Sequence, residues 1–380
     1  MAMAIGAWWV WLNARTAWVL ACGVALMLLW NAVQWYRDRA LAQRLHGAPA
    51  QPAALTAMPA LSVLVAAWNE ADIIAEHIES FHRLPYVHKE LLLCAGGEDS
   101  TYQLALEQAG AGVVVLDQQP GEGKQAALQR CWEQARGQIL FLTDADCLLD
   151  DATLTQTLAP LVNEGEEVAT GTSQPLRKQR GNAVVMHQWR TDLYVQARQP
   201  RYVNGLLGRN VALTRAALDS VGAFAAVART GTDYYLAKQL LQHGYRIRYV
   251  RDSAIPTRYP QTVGSYRRRQ SRWLRNLLLH GPGFGAHDEV KAALRTCIIG
   301  TVMWALPCAA LWLGPALLAL WGALWTHAIL ARIRYAWFAQ AYRGVPIEPR
   351  HLMLMPWHAL LDFVAWSLPA LDMLLRRYEW

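Results

Sequence analysis

The 380-residue sequence has few charged residues and lacks the short motifs of zinc and P-loop proteins. Asp, Glu, Lys and Arg make up 17% of it, against about 25% in an average globular protein. Its six cysteines form no Cys-x-x-Cys pair, and its eleven histidines form no His-Glu-x-x-His. The P-loop spacing and internal repeats are also missing. We therefore expect reduced, packed cysteines, not a disulfide framework or a zinc site.

Apolar residues are abundant instead, at 54%, and they concentrate at the two ends of the chain. Residues 17–30 are apolar throughout except for Gly23, which predicts a transmembrane helix within residues 1–39. A signal peptide is the alternative. Residues 40–58, rich in Ala, Gln and Pro, are expected to be a linker.

The carboxy-terminal part of the sequence is again almost free of charge. Residues 297–330 are too long for one crossing of about 20 residues, so we expect a transmembrane hairpin at residues 292–338. Its turn is expected near Gly314-Pro315. Residues 351–377 form either a third span or an interfacial helix, and the sequence leaves both alternatives open.

Arginines follow both predicted membrane segments, and they set the expected orientation. They are Arg37, Arg39 and Arg44 after the first segment, then Arg332, Arg334, Arg343 and Arg350. Because positive residues favour the cytoplasmic side, we expect a multi-pass inner-membrane protein with its polar middle in the cytoplasm. The net charge of +7 is expected to attract anionic lipid or a phosphorylated substrate, not nucleic acid.

Strand-like and helix-like segments alternate between residues 61 and 250. The apolar runs are residues 61–67, 90–95, 112–116 and 138–143, and helical patterns begin near Ala71, Ser100 and Gly123. This alternation predicts an α/β fold, a mostly parallel sheet with helices on both faces. A ligand site is then expected at the carboxyl ends of the strands.

One strand-like run ends in Thr143-Asp144-Ala145-Asp146. Side chains at i and i+2 of a strand point to the same face, so the two carboxylates are expected side by side. Oxygen ligands of this kind suit Mg²⁺ or Mn²⁺, and a cation only partly held by protein is well placed to bind a diphosphate. The alternative is a solvated pair of loop carboxylates.

Three further turns carry candidate ligand-binding residues. Asn69 follows the first apolar run; its spacing favours a helix cap over a contact with a nucleotide base. Gly96 lies in a turn where glycine permits a close approach of the backbone to a ligand, or simply forms the turn. Lys124 opens a helix after Gly121-Glu122-Gly123, a position that suits a diphosphate.

Two later segments add a carboxylate and a basic helix. Asp233 lies in the first turn of a predicted helix, where a simple capping role is the alternative. In the Arg-rich run at residues 266–275, Arg269, Arg272 and Trp273 share a helical face. This face suits phosphate binding and stacking, whereas an interfacial helix that binds lipid head groups is the alternative.

Taken in order, these segments resemble a membrane-embedded family 2 glycosyltransferase with a GT-A nucleotide-sugar domain at residues 59–281. Ala67-Trp68-Asn69-Glu70 resembles the family's Ala-Tyr-Asn-Glu, Gly121 to Lys124 its Gly-Lys segment, and Asp144-Ala145-Asp146 its Asp-x-Asp. Thr232-Asp233 resembles its Glu-Asp pair, and Arg269-Gln270-Ser271-Arg272-Trp273 its (Gln/Arg)-x-x-Arg-Trp signature.

The resemblance implies a role for each matching residue. Asp233 would be the catalytic base, Asp144 and Asp146 would bind Mg²⁺ or Mn²⁺, and Trp273 would bind the acceptor. The implied donor-binding residues are Ala67, Asn69, Glu70, Gly96, Lys124, Asp144, Asp146, Arg269 and Arg272.

The sequence departs from the family pattern at two places. Cys94-Ala95-Gly96-Gly97 stands where the family commonly has Asp-Asp-Gly-Ser, so recognition of uracil must differ. Thr232 replaces the Glu of the Glu-Asp pair, whereas Asp233 is retained.

The implied function is inverting, metal-dependent transfer from a nucleotide-diphosphate sugar, a UDP-sugar in the simplest case, to a membrane lipid. Ceramide-type glucosyltransferases share the signature. So do processive polysaccharide synthases, which would need a growing glycan as acceptor and a partner subunit or oligomer to extrude it. A non-catalytic membrane scaffold with a degenerate domain is the alternative from another class.

Overall fold

The computed structural model describes residues 2–45, 52–225, 231–313 and 316–374. Its contacts divide the chain into two compact units. The sheet unit comprises residues 48–180 and 195–259, and the helical unit comprises residues 1–47, 181–194 and 260–380.

The helices are, in chain order, α1 Ala2–Leu45, α2 Ile74–His82, α3 Thr101–Gln108, α4 Gly123–Gln134, α5 Asp151–Glu164, α6 Ala183–Gln196, α7 Arg215–Ser220, α8 Thr232–Gln242, α9 Val263–His280, α10 His287–Leu313, α11 Ala316–Arg343, α12 Pro349–Met353 and α13 Met355–Leu374. Short 3₁₀ turns cover Arg177–Gln179 and Pro282–Phe284. The strands are β1 Leu61–Trp68, β2 Lys89–Gly96, β3 Val113–Asp117, β4 Ile139–Asp144, β5 Val168–Pro175, β6 Tyr202–Val203, β7 Val211–Thr214 and β8 Ile247–Thr257.

The strands form one sheet in the order β3-β2-β1-β4-β7-β5-β8-β6. Pairs β1–β2, β1–β4, β2–β3 and β5–β8 are parallel, whereas β7 and β6 run antiparallel to their neighbours. The four apolar runs of the sequence form β1 to β4, with bounds that differ by at most one residue. The predicted α/β fold with a mostly parallel sheet is therefore confirmed.

Consecutive residues of β1 enter two different hydrophobic cores. Val63 and Val65 pack on one face of the sheet with residues of α2 and α5. Leu64 packs on the other face with residues of α4 and α8. Because both faces are covered, the strand is apolar at every position except Ser62 and not at alternate ones, as expected for a buried parallel strand.

The six cysteines, each within the described part of the chain, are free. Burial separates them: Cys94, Cys131, Cys147 and Cys297 are buried, and Cys22 and Cys308 are exposed. The expectation of packed cysteines therefore holds for four of the six.

In the helical unit, α10 and α11 flank residues 314–315, where the predicted hairpin turn lies outside the described residues. Among the described residues, one helical stretch, residues 287–312, has the length and mean hydropathy, 1.6, of a membrane span. The multi-pass arrangement therefore remains a prediction. Residues 40–45, expected in the linker, continue α1.

Buried ion pairs join the helices of this unit. Asp362 on α13 lies 2.5 Å from the Arg332 guanidinium on α11 and 3.0 Å from His187 Nε2 on α6, and it also accepts a hydrogen bond from the Tyr266 hydroxyl on α9. Asp38 on α1 pairs with Arg334 on α11 at 2.8 Å. A carboxylate in an apolar helix is thus balanced by charges from other helices.

Helix α9, which carries the Arg-Trp signature, groups with the helical unit and not with the sheet unit. The predicted domain at residues 59–281 therefore crosses the boundary between the two units. A capping box between Thr262 and Ser265 begins the helix, and Tyr266, Leu274 and Leu277 form its buried side.

Candidate functional site

Two carboxylates lie at the carboxyl end of β4 in the sheet unit. Asp144 is the last residue of the strand, and Asp146 lies in the turn that follows. The alternation argument from sequence is therefore wrong for Asp146, because the strand ends before it. Contacts with the end of β8 hold Asp146 instead: the Thr257 hydroxyl donates to Asp146 Oδ1 at 3.1 Å, and the Arg258 amide donates to its carbonyl at 3.0 Å.

Two cations face Asp144. The Lys124 ammonium, in the first turn of α4, donates a hydrogen bond to Asp144 Oδ1, and Arg209 Nε lies 3.9 Å from Oδ2. Burial disfavours the charged form of Arg209, but Asp146 and Asp144 outweigh it and raise its pKa above the ordinary value. Lys124, predicted from sequence to bind a diphosphate, is thus in direct contact with Asp144, and its role in donor binding stays a prediction.

Arg209 was missed by the sequence analysis. It precedes β7, and the buried Asn210 beside it fixes the loop: the Asn210 amide donates to the carbonyl of Thr172 and the hydroxyl of Ser253, each at 3.0 Å. Gly208-Arg209-Asn210 directly before the apolar residues of β7 is the local signal that points to this loop. It is a weak signal, because a glycine and a polar residue precede many strands.

Asp233 lies beside this loop. It is in the first turn of α8, as predicted, after Gly231 in the left-handed region at φ 73°. Gly208 is needed there, because a Cβ on this residue would lie 2.7 Å from Asp233 Cβ. Burial disfavours the charged form of Lys124, but the attraction of Asp144 and Asp233 outweighs this effect and raises the pKa of Lys124. Asp144, Lys124 and Arg209 together are called the Asp144 cluster, and Asp233 shares its electrostatic environment.

Glu70, after β1, is a third carboxylate of this region. Burial, then repulsion from Asp146, raises the pKa of Glu70 to about 7, although Arg258 lies 3.3 Å away and opposes the shift. Arg258 is divided between two acids, since it also contacts Asp72 at 2.8 Å. The region thus has more negative charge than its own cations balance.

Asn69 does not cap a helix, so the role favoured by its spacing is wrong. Helix α2 begins at Ile74, and its cap residue, Ile73, makes no side-chain cap bond. Asn69 has φ 57°, and its Oδ1 accepts from the Glu98 amide at 2.8 Å. Asn tolerates this left-handed conformation better than most residues. Asn69 therefore joins the turn after β1 to the turn after β2.

Packing within the protein accounts for the small residues at positions 96 and 67, which were predicted to bind the donor. A Cβ on Gly96 would lie 2.3 Å from the Gln118 carbonyl oxygen, so the close approach here is to the chain itself. The Ala67 side chain is fully buried in the hydrophobic core, which leaves only its backbone for a donor contact.

Arg269, Arg272 and Trp273 lie on α9 in the helical unit. Arg272 is exposed and Trp273 has 61% of its surface accessible, whereas Arg269 is half-buried. The roles predicted for them in donor and acceptor binding stay predictions.

The donor set suits a hard divalent cation shared with a phosphate ligand. Among the described residues, no group of three or more His, Cys, Asp or Glu side chains is arranged to hold a metal alone. Mg²⁺ sites commonly use one or two carboxylates and take their remaining ligands from water and substrate phosphates. Asp144 and Asp146 fit that kind of site, and the surplus negative charge at Glu70 is consistent with it.

The family model described as glycosyltransferase like family 2 matches residues 59–276. The chain belongs to this family. The predicted family 2 glycosyltransferase is thereby confirmed, whereas membrane embedding and the subfamily remain predictions. No curated protein sequence matches this glycosyltransferase.

One solved mannosyltransferase structure shows the same fold. A mannosyltransferase from Pyrobaculum calidifontis in complex with GDP-Man and Mn²⁺ is 16% identical, with a TM-score of 0.54, over 94% of this chain and 99% of its own. Glucosyl-3-phosphoglycerate synthase from Mycobacterium tuberculosis, in complex with Mn²⁺, UDP-glucose and phosphoglyceric acid, is 20% identical with a TM-score of 0.37, over 53% of this chain and 72% of its own.

Replacement of Glu70 by Gln should change how stability depends on pH. A carboxyl whose pKa is raised on folding from 4.5 to about 7 stabilises the protein below pH 4.5 and loses that contribution as the pH rises through 7. In the presence of a chelator, the free energy of unfolding of Glu70→Gln should therefore be close to that of wild type at pH 5. At pH 8 it should be higher than that of wild type, by about 2 kcal/mol or less. The exposed Glu79→Gln is the control and should show no such trend. A constant difference between Glu70→Gln and wild type from pH 5 to 8 would contradict the assignment.

Proposed function

We propose that this glycosyltransferase moves a sugar from a nucleotide-diphosphate donor to an acceptor hydroxyl with inversion at the anomeric carbon. One observation carries the proposal: the Asp144 cluster, with Lys124 and Arg209, lies at the carboxyl edge of the sheet beside Asp233. A diphosphate needs positive charge, and the transfer needs a base, and this edge supplies both.

Basic and acidic side chains both contribute to binding of the donor diphosphate, the acidic ones through a divalent cation. Lys124 lies in the first turn of α4, where the helix amino terminus already favours an anion. Mg²⁺ or Mn²⁺ on Asp144 and Asp146 would supply Lewis-acid charge next to the departing diphosphate. The mannosyltransferase of the same fold, in complex with GDP-Man and Mn²⁺, supports this cofactor. It also makes a GDP-sugar an alternative to the UDP-sugar expected from sequence.

The transfer itself requires one proton acceptor. As the acceptor oxygen bonds to the anomeric carbon, its proton passes to the Asp233 carboxylate. The bond from the anomeric carbon to the diphosphate oxygen breaks, and its electron pair leaves with the nucleoside diphosphate. Attack from the side opposite the leaving group inverts the configuration. Lys124 and Arg209 stabilise the charge that develops on the leaving group.

A membrane lipid is the proposed acceptor. The apolar stretch at residues 287–312 supports placement at a membrane, and exposed Trp273 offers a flat apolar surface. Membranes incubated with Mn²⁺ and either UDP- or GDP-sugars, followed by mass analysis, test this assignment. A single added sugar on a lipid is the expected result. A ladder of oligosaccharides would instead indicate a processive synthase.

Asp233→Asn should abolish most of the transfer. The amide cannot accept the proton, so we expect the rate to fall at least about 10²-fold with donor and cation saturating. Asp219→Asn, an exposed acid that accepts a hydrogen bond from Trp132, is the control and should keep wild-type activity. Wild-type transfer by purified Asp233→Asn would overturn the proposed base.

Gly208→Ala should impair the same step without removal of a functional group. The new Cβ would displace the Asp233 side chain, so we expect a rate loss of about tenfold or more because the base is misplaced. Gly205→Ala, in the same loop with no atom within 4 Å of the added Cβ, should have little effect. Equal rates for the two variants in donor turnover would show that the contact between Gly208 and Asp233 does not matter for activity.

A further inference from the structure

A groove of about 470 Å³ lies between α1 and α11 in the helical unit. Its walls are mostly apolar and include Leu28, Ala32, Trp35 and Leu330, and Arg39 lies at one end. None of these residues belongs to the Asp144 cluster or to the Arg-Trp helix, so the groove is a feature that the proposed transfer does not use.

Contacts between the two helices hold the groove in shape. The Asn31 amide donates to the Met27 carbonyl at 2.8 Å and contacts His327 Nδ1 at 2.9 Å. The rings of Trp35 and Trp337 lie 5.7 Å apart. Asn31 is 7% exposed, and its Oδ1 accepts no hydrogen bond within the described residues, so the floor offers one open acceptor to a water or hydroxyl.

The length of the groove matches one leaflet of a bilayer. Leu28 and Arg39 are eleven residues apart on one helix, which corresponds to about 16 Å at 1.5 Å per residue. Half of a hydrocarbon core of about 30 Å is about 15 Å. Trp35 and the exposed Tyr36 lie near the Arg39 end, where aromatic residues favour the membrane interface.

The Arg39 end of the groove carries a positive charge. Arg39 is exposed, and no acid among the described residues pairs with it. The neighbouring Asp38 is buried and bound to Arg334 at 2.8 Å. A guanidinium with free donors at the mouth of an apolar groove is complementary to a phosphate attached to a hydrocarbon chain.

We propose that this groove binds one anionic phospholipid, with an acyl chain along Leu28, Ala32, Trp35 and Leu330 and the phosphate on Arg39. The inference rests on the membrane placement in the proposed function. It adds a lipid site on α1 and α11 that is separate from the acceptor.

The test is lipid binding by the full-length, delipidated protein in detergent, measured by native mass spectrometry with dioleoyl phosphatidylglycerol or phosphatidylcholine. Wild type should retain one phosphatidylglycerol about fivefold more tightly than phosphatidylcholine. Arg39→Ala should lose that preference, and Ala32→Trp, which fills the groove, should lose both lipids. Arg37→Ala is the matched control, since it removes an exposed arginine of α1 that does not line the groove.

Three results would overturn the lipid site: no preference in wild type, equal losses in Arg37→Ala and Arg39→Ala, or full binding by folded Ala32→Trp. If Ala32→Trp does not fold, the comparison of the two arginine variants decides. A lipid-free dimer that fills the groove would also contradict the proposal. Carbonate extraction and donor turnover of the same variants separate the claims: release from membranes overturns the membrane placement, whereas retention without a lipid preference overturns the groove alone.

Discussion

Repulsion between carboxylates at the carboxyl end of β4 is the constraint on which the site depends. Lys124 and Arg209 form ion pairs with Asp144, and Arg258 forms ion pairs with both Glu70 and Asp72. Burial, and after it repulsion from Asp146, raises the pKa of Glu70 to about 7. A divalent cation held by Asp144 and Asp146 and shared with a diphosphate would relieve this repulsion. The same imbalance therefore accounts for the cofactor and for the class of donor.

The rest of the sheet unit keeps these groups close. Gly208 allows Asp233 to pack against the loop that carries Arg209, and Asn210 anchors that loop between β5 and β8. Asn69 ties the first turn to the second through the Glu98 amide. Each contact lies at the same edge of a two-sided, fully packed sheet, so the site is built on a rigid support.

Local pattern predicts the parts of the fold whose causes are local. Strands buried on both faces are continuous apolar runs, so β1, β2 and β4 could be located to within one residue. The edge strand β3, which is only partly buried, is also an apolar run and was located equally well. Lys124 and Asp233 were placed correctly in the first turns of their helices. The four-residue β7 was missed, because its antiparallel pairing depends on β4 and β5, which are remote in sequence.

Errors in the site have the same origin. Spacing favoured a helix cap for Asn69, whereas its hydrogen-bond donor is the amide of Glu98, 29 residues away. Asp362 lies in an apolar segment, and its partners are Arg332 and, 175 residues away, His187. Long-range partners decide the role of a polar residue, and a single sequence does not display them.

Mn²⁺ binding tests the central claim most directly. Electron paramagnetic resonance on the purified protein, with UDP or GDP added, should show one bound Mn²⁺ whose affinity rises with the nucleotide. Asp144→Asn and Asp146→Asn should each weaken it at least about tenfold, because a carboxylate ligand is lost. Asp219→Asn should bind as wild type does. Equal Mn²⁺ affinity in wild type and both site variants would contradict the account.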